Sequence, residues 1–415
     1  MKICFAFTLL TAAVVSSGLL SAADPFWPGW LGPDRTGWVS GFQSPEQWPQ
    51  SLSSSWSVDV GTGYGTPLVI DGLVFQHARQ DGEEVLWCIE LKSGNTVWRQ
   101  SVAVPFKVRG GGEFHGKGPK SSPVYADGRI FTLTITGDLI AWDADSGKQL
   151  WRSDYGTKYR QNHPHWGTST SPIVDGPRVI MHFGNDDAGE LVALDVETGK
   201  EVWTNGKDGA SYSSPLLVEF QGVKQIVEWN HQALVGVNSA NGEQLWSFPF
   251  AHESHNQNMP TPAFHDGLVL LGAENRGLHC FEPQLIDGEW KVNRRWSQDS
   301  IALDMSTAVM NGDLLFGMSH FGKGRLFCVT SESGEILWQS NGRFGQNAAF
   351  LSVPGHIVAL NDRGKVQVFK ALGEGHQVVA NWTVSQEPTW APPVLLNDGV
   401  LIKDRTTLKR LSFAK

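Results

Sequence analysis

The chain has 415 residues, a formal net charge of −9, 18% charged residues and 40% hydrophobic ones. That length can bury a large core. A mildly acidic chain with no basic run excludes nucleic acid as the main partner.

Residues 1–23 open with Lys2, continue as an apolar run and end in Ser21-Ala22-Ala23. This reads as a secretory signal peptide cut after Ala23. The run is short for a membrane span, and no later segment is apolar enough to be one. No cysteine follows the cut to accept a lipid, so there is no lipobox. Losing Lys2 takes the net charge from −9 to about −10. The expected product is residues 24–415, one domain, monomeric, periplasmic or secreted, with no transmembrane segment. Its three cysteines are odd in number and well separated, which is not a disulfide framework.

From residue 50 onward the chain repeats itself. "LWCIELKSGNTVW" ends at Trp98, "LIAWDADSGKQLW" at Trp151 and "LVALDVETGKEVW" at Trp203. "LVGVNSANGEQLW" ends at Trp246 and "LFCVTSESGEILW" at Trp338. In each, a glycine lies four residues before the tryptophan: Gly94, Gly147, Gly199, Gly242 and Gly334. Looser copies end at Trp296 and Trp382, and "SLSSSWSVDV" offers Trp56. Upstream of each hairpin stands another, as in "TPLVIDG" from Thr66, "SSPVYADG" from Ser121, "TSPIVDG" from Thr170 and "TPAFHDG" from Thr261, with variants from Ser213 and Ala391. Asp-Gly between alternating apolar runs is a strong hairpin signal.

Each unit therefore reads as four antiparallel strands at a spacing of 42 to 53 residues, which is one propeller blade. After Trp382 only 33 residues remain, enough for three strands. The Trp56 segment supplies the fourth. The fold class is all-β: an eight-bladed propeller whose last blade is closed by the N-terminal strand, with seven blades as the alternative. The repeated tryptophans are expected to wedge between blades, and the glycines to close hairpins. Cys88 and Cys328 stand where Ala141 and Ala193 stand in other blades, and Cys280 takes the matching place. Three free, buried, unreactive thiols are expected.

These residues resemble the pyrroloquinoline-quinone-like repeat family of β-propellers. Its Ala-x-Asp-x-x-Thr-Gly-x-x-x-Trp hairpin is matched by Ala193, Asp195, Thr198, Gly199 and Trp203, and nearly so by Asp143, Ser146, Gly147 and Trp151. "WPGWLGPDRTG", Trp27 to Gly37, resembles the opening segment of exported bacterial members. The resemblance implies one of two classes. Quinoprotein dehydrogenases hold pyrroloquinoline quinone and calcium on the axis, with a neighbouring-cysteine disulfide, and oxidise alcohols or sugars. Others, such as the propeller lipoprotein of the outer-membrane β-barrel assembly machinery, bind protein partners. This sequence has no Cys-Cys pair, no Cys-x-x-Cys-His and no lipobox.

Topology says where a site would lie. Loops from outer strand to next inner strand share a face with those between second and third strands, and this face receives every long loop. Rigidly held loops are where binding sits. They bring Arg109, Glu113, His115, Lys117 and Lys120; Tyr159, Arg160, His163, His165 and Trp166; and His252, Glu253, His255, Asn256 and Asn258. Shorter loops add Glu228, His231, Glu274, Asn275, Arg276, His320, Lys323, Arg343, Asp362 and Arg363. The competing reading is that these are ordinary solvated loops.

Sharper chemistry is weakly signalled. Gly111, Gly116 and Lys117 have phosphate-loop spacing, but Gly118 replaces the Ser/Thr and a strand follows. His163, His165, His252 and His255 are imidazoles suited to a transition metal, on loops two blades apart. Asp186, Asp187 and Glu190 lack the spacing of a helix–loop–helix calcium site. No catalytic residue and no metal site is assigned. The expected function is a non-catalytic scaffold for cell-envelope or secreted protein partners, or for an extended polar ligand. The alternative is a dehydrogenase using pyrroloquinoline quinone with calcium.

Overall fold

The computed structural model describes residues 26–39, 41–107, 115–161, 164–253, 257–322 and 324–413. The signal-peptide reading of residues 1–23 and the candidates Arg109, Glu113, His163, His255, Asn256 and Lys323 lie outside the described residues.

Strands fall where the repeat places them, in eight four-stranded antiparallel sheets. Blades 1 to 7 each use four consecutive strands. Blade 8 takes Val394–Leu396, Gly399–Lys403 and Thr407–Phe413 and pairs the last with Leu52–Asp59 from the N-terminal side. The seven-blade alternative is therefore discarded, and the ring closes by joining its two ends. The turn between first and second strands is set by Asp-Gly pairs with both residues at positive φ, as at Asp71 (47°) and Gly72 (76°). That geometry matches the twist of the strands it joins.

The core is layered between blades. One apolar cluster joins Leu68 and Phe75 of blade 1 to Ile130 and Ile140 of blade 2; another joins Ile180 of blade 3 to Ile226 of blade 4. The tryptophans stitch these layers. Trp98, Trp151 and Trp203 stand directly across the strand pair from Cys88, Ala141 and Ala193, small residues that leave room for an indole. Trp246 faces Gly236, where a Cβ would come within 2.1 Å of the ring. Five of the eight indoles then lean on the turn glycine of the following blade. A Cβ on Gly94, Gly147, Gly199 or Gly242 would lie 2.7 Å from Trp56, Trp98, Trp151 or Trp203 respectively, and one on Gly334 would lie 2.5 Å from Trp296. Several indole N–H groups also donate into the next blade, Trp56 to the Leu91 carbonyl (2.8 Å) and Trp338 to that of Leu372 (2.8 Å). The repeat glycine thus does more than turn the chain: it docks the neighbouring tryptophan.

Blade 5 departs from this. Its outer hairpin, Leu278–Ile286 with Glu289–Gln298, is long and lacks the Ser/Thr-Gly turn, and Trp246 donates instead to Gln225 Oε1 (2.7 Å). Cys88, Cys280 and Cys328 are free and fully buried, and burial pushes each thiol up to about 12. They are inert packing residues.

Residues 26–39 cross the hairpin-turn face and enter the axis. Trp27 bridges to Val69 of blade 1, Pro28 accepts from Tyr125 of blade 2, and Trp38 bridges to Ser352 of blade 7. Arg35 is buried on the axis, donating to the carbonyls of Pro172 (2.8 Å), Ser171 (3.0 Å) and Pro215 (3.4 Å). Trp30 lies under its guanidinium, 5.6 Å from ring centroid to carbon. The channel is plugged from that side.

Candidate functional site

The inner strands begin around the axis, and their Ser/Thr-Pro starts form a belt. The Thr66 N–H donates to Ser122 Oγ (2.9 Å), Ser122 to Ser171 (3.0 Å), Ser171 to Ser214 (2.9 Å), Ser214 to Thr261 (2.9 Å) and Thr261 to Thr307 (3.1 Å). Each of blades 2 to 6 thereby satisfies a buried backbone donor of the blade before it. From Ser122 to Thr307 each belt hydroxyl oxygen accepts one of these N–H groups, and its O–H is left able to donate.

Above the belt, on the loop face, lies a cavity of about 190 Å³. Seven of the eight loops entering the blades present a residue two positions before the belt residue: Tyr64, Lys120, Ser169, Tyr212, Met259, Met305 and Trp390. Asn347 completes the circle, and Trp30 closes it from the plugged side. An extended chain repeats its direction every second residue, so a position two before an axial hydroxyl is axial too. Tyr64, His115 and Trp390 form one aromatic group, with His115 and Trp390 4.8 Å apart and Tyr64 and Trp390 5.8 Å apart. Trp166 and Tyr212 form another at 5.5 Å.

Lys120 is the cation of the pocket. Burial, offset in part by Glu84, brings its ammonium down to about 8. Burial and then Lys120 lower the pKa of His115, so it is neutral around pH 7. Asn347 Oδ1 accepts from Ser306 Oγ at 2.8 Å, which leaves its amide hydrogens for the cavity. None of the described lining residues is Asp or Glu. Asp304 precedes Met305 but does not line the cavity; burial, then Glu274, pushes its carboxyl up to about 6.

Of the residues singled out in the sequence, the structure brings His115, Lys120 and Trp166 to this pocket. Others are engaged elsewhere. Glu228 is a correction: it is buried in the blade wall, bonded to His182, and is not on the loop surface. Arg276 packs over Trp229 and Phe250 and donates to Asn258 Oδ1 and the Ala251 carbonyl, both at 2.5 Å. His252 packs against His231 with the rings tilted by 39° and their centroids 4.5 Å apart. His320 bonds Asn275 (3.0 Å), and Asp362 accepts the Gln346 N–H (2.8 Å). Arg343 donates to the Gly345 carbonyl (3.3 Å), and Glu190 accepts from Tyr159 (2.7 Å). Lys117 and Arg160 are exposed, and Glu274 and His165 partly so. Among the described residues no group of three or more His, Cys, Asp or Glu is placed to hold a metal ion.

Residues 82–340, more than half of the chain, match the family described as outer membrane protein assembly factor BamB. The chain belongs to this family of PQQ-like repeat propellers. It is similar to BamB of Yersinia pestis, 22% identical over 325 residues that cover 75% of this chain and 76% of that one. It is also similar to the dehydrogenase subunit of a quinone alcohol dehydrogenase from Gluconacetobacter polyoxogenes, 24% identical over 333 residues. That match covers 70% of this chain but 42% of the subunit, so the chain spans less than half of that relative. Among solved structures, BamB from Moraxella catarrhalis superposes with a TM-score of 0.63 over 87% of this chain and 98% of its own, at 13% identity. A quinohemoprotein alcohol dehydrogenase from Pseudomonas putida HK5 gives 0.64 over 94% and 81%, also at 13%. At that identity both speak for the fold alone.

The pocket does not fit pyrroloquinoline quinone with calcium. Calcium takes six to eight oxygen ligands, carboxylates prominent among them. The described lining offers no carboxylate, and places an ammonium and amide donors there instead. The cavity, at about 190 Å³, is also smaller than the roughly 300–1,000 Å³ usual for larger ligands.

Proposed function

We propose that this chain is an exported, non-catalytic scaffold of the cell envelope, periplasmic or secreted, that holds protein partners on its loop face. The observation that carries the reading is the axial pocket: the position at which a quinoprotein of this fold would hold its cofactor is lined by donors and aromatics with no described carboxylate. The similarity to BamB supports it, since the match spans most of both chains. Among the described residues no helix is long and apolar enough to cross a membrane.

The quinone-dependent dehydrogenase stands as the second reading because a relative of that name aligns over 70% of this chain. One experiment separates them. Cross-linking through the loop face, with a photo-reactive residue at Arg363 or Lys117, is carried out in intact cells. In parallel the purified chain is mixed with pyrroloquinoline quinone and calcium and assayed for alcohol- or sugar-dependent dye reduction. The scaffold reading expects discrete cross-linked partners and no dye reduction. Calcium-dependent dye reduction would overturn it.

A further inference from the structure

The axial pocket has a composition that the partner-binding reading does not use. We infer that it is a binding site for a small aromatic acid: one flat ring system carrying a single carboxylate, seated between the aromatic side chains with its anionic end towards Lys120 and the hydroxyl belt.

Three observations lead there. First, the polar side chains lining the cavity can donate, and none of the described ones is an acceptor-only carboxylate. Lys120 carries the ammonium, Asn347 keeps its amide hydrogens, and each belt hydroxyl already accepts one backbone N–H and has its O–H left to donate. A cavity of donors is complementary to an acceptor, and an ionised carboxylate is acceptor-only. A charge-assisted bond in a partly dry site is stronger than a neutral one. Second, the positive charge is single. Among the described lining residues Lys120 is the one charged side chain at neutral pH, so one anionic group balances the site. Third, the walls are flat. Trp390, Tyr64 and His115 stand on one side, Trp166 and Tyr212 on another, and Trp30 at the base, while Met259 and Met305 supply adaptable thioethers opposite. Aromatic faces take a planar ring by offset or edge stacking. The volume admits one such ring system and little more.

The test uses the full chain, calorimetry and two isosteric probes, indole-3-acetate and indole-3-acetamide. The acid should bind at least tenfold more tightly than the amide. Lys120→Met should erase that difference while leaving amide binding in place. Trp390→Leu should weaken both probes about equally. Thermal melts and gel filtration check that each variant is folded. Equal affinity of acid and amide for the folded wild type would overturn the anionic part of the inference, and failure of both to bind would overturn it entirely. Neither result touches the partner reading, which is read out by cross-linking.

Discussion

The residue whose role was least visible in the hairpin pattern is the repeat glycine. Gly199 has φ = 68°, and a Cβ there would press into the indole of Trp151 at 2.7 Å; Gly222 has φ = 80° with open space around it. Both substitutions to alanine strain the backbone, but only one meets a neighbour. Gly222→Ala should cost roughly 1 kcal/mol. Gly199→Ala should cost roughly 2–4 kcal/mol, because strain and overpacking add. Urea midpoints at an unchanged m-value measure both. Equal losses would mean that the glycine serves the turn alone. A second residue-scale effect sits at His182. Burial lowers its pKa, yet the charge and hydrogen bond of Glu228, with the Asp208 carbonyl, outweigh burial and hold it above its ordinary value. A raised folded pKa gives stability that is fully present below the unfolded value of about 6.5 and is lost as pH climbs through the folded one. Glu228→Gln should therefore destabilise by roughly 3 kcal/mol at pH 6, the scale of breaking a buried pair. The gap to wild type should narrow by pH 9. A gap that does not change with pH would mean that His182 is never charged.

At the scale of the element, the inner strand carries both the architecture and the candidate site. Its start is legible as a Ser/Thr-Pro repeat, which in the sequence marks only where each upstream hairpin begins. The physical signal was present: a hydroxyl that recurs at the head of six of the eight inner strands must face something common to the blades, and that is the axis. The positions two residues earlier, Tyr64, Tyr212, Met259, Met305 and Trp390, then follow by strand period. These positions are uncharged and share no single residue type, so charged loop residues such as the exposed Lys117, Arg160 and Arg363 stand out in the sequence instead. Arg276 and Glu228 show why charge misled: in this fold they are consumed by packing and pairing within the walls. The hydroxyl belt makes its own prediction. Ser122→Ala leaves the buried Thr66 N–H without its acceptor. The loss should be roughly 1–3 kcal/mol, the penalty of an unsatisfied buried donor. Hydrogen exchange should show that amide among the first to open. Ser122→Thr, which keeps the oxygen, should restore most of the stability.

For the whole molecule, the repeat count was legible because Gly and Trp are locked together by one contact, so neither can drift without the other. Closure was legible for a simpler reason: three strands at one end and one at the other complete a blade. What no repeat could reveal is the plug, because residues 26–39 have no counterpart in other blades. Ring and plug can be separated. A chain beginning at Ser51 lacks the plug and the buried Arg35, but keeps Leu52–Asp59 and the docking of Trp56 on Gly94. A chain beginning at Gly61 also loses the closing strand, which leaves Thr407–Phe413 as an open edge with unpaired donors and acceptors. The first should remain a monomer that unfolds in one transition at a lower midpoint. The second should aggregate on gel filtration and lose a single cooperative melt, since a propeller missing its closing strand has no barrier to edge-to-edge pairing. If the chain starting at Ser51 aggregates as readily as the one starting at Gly61, the plug rather than the strand holds the ring shut. The axial segment would then be the keystone of the fold, and not merely the base of its pocket.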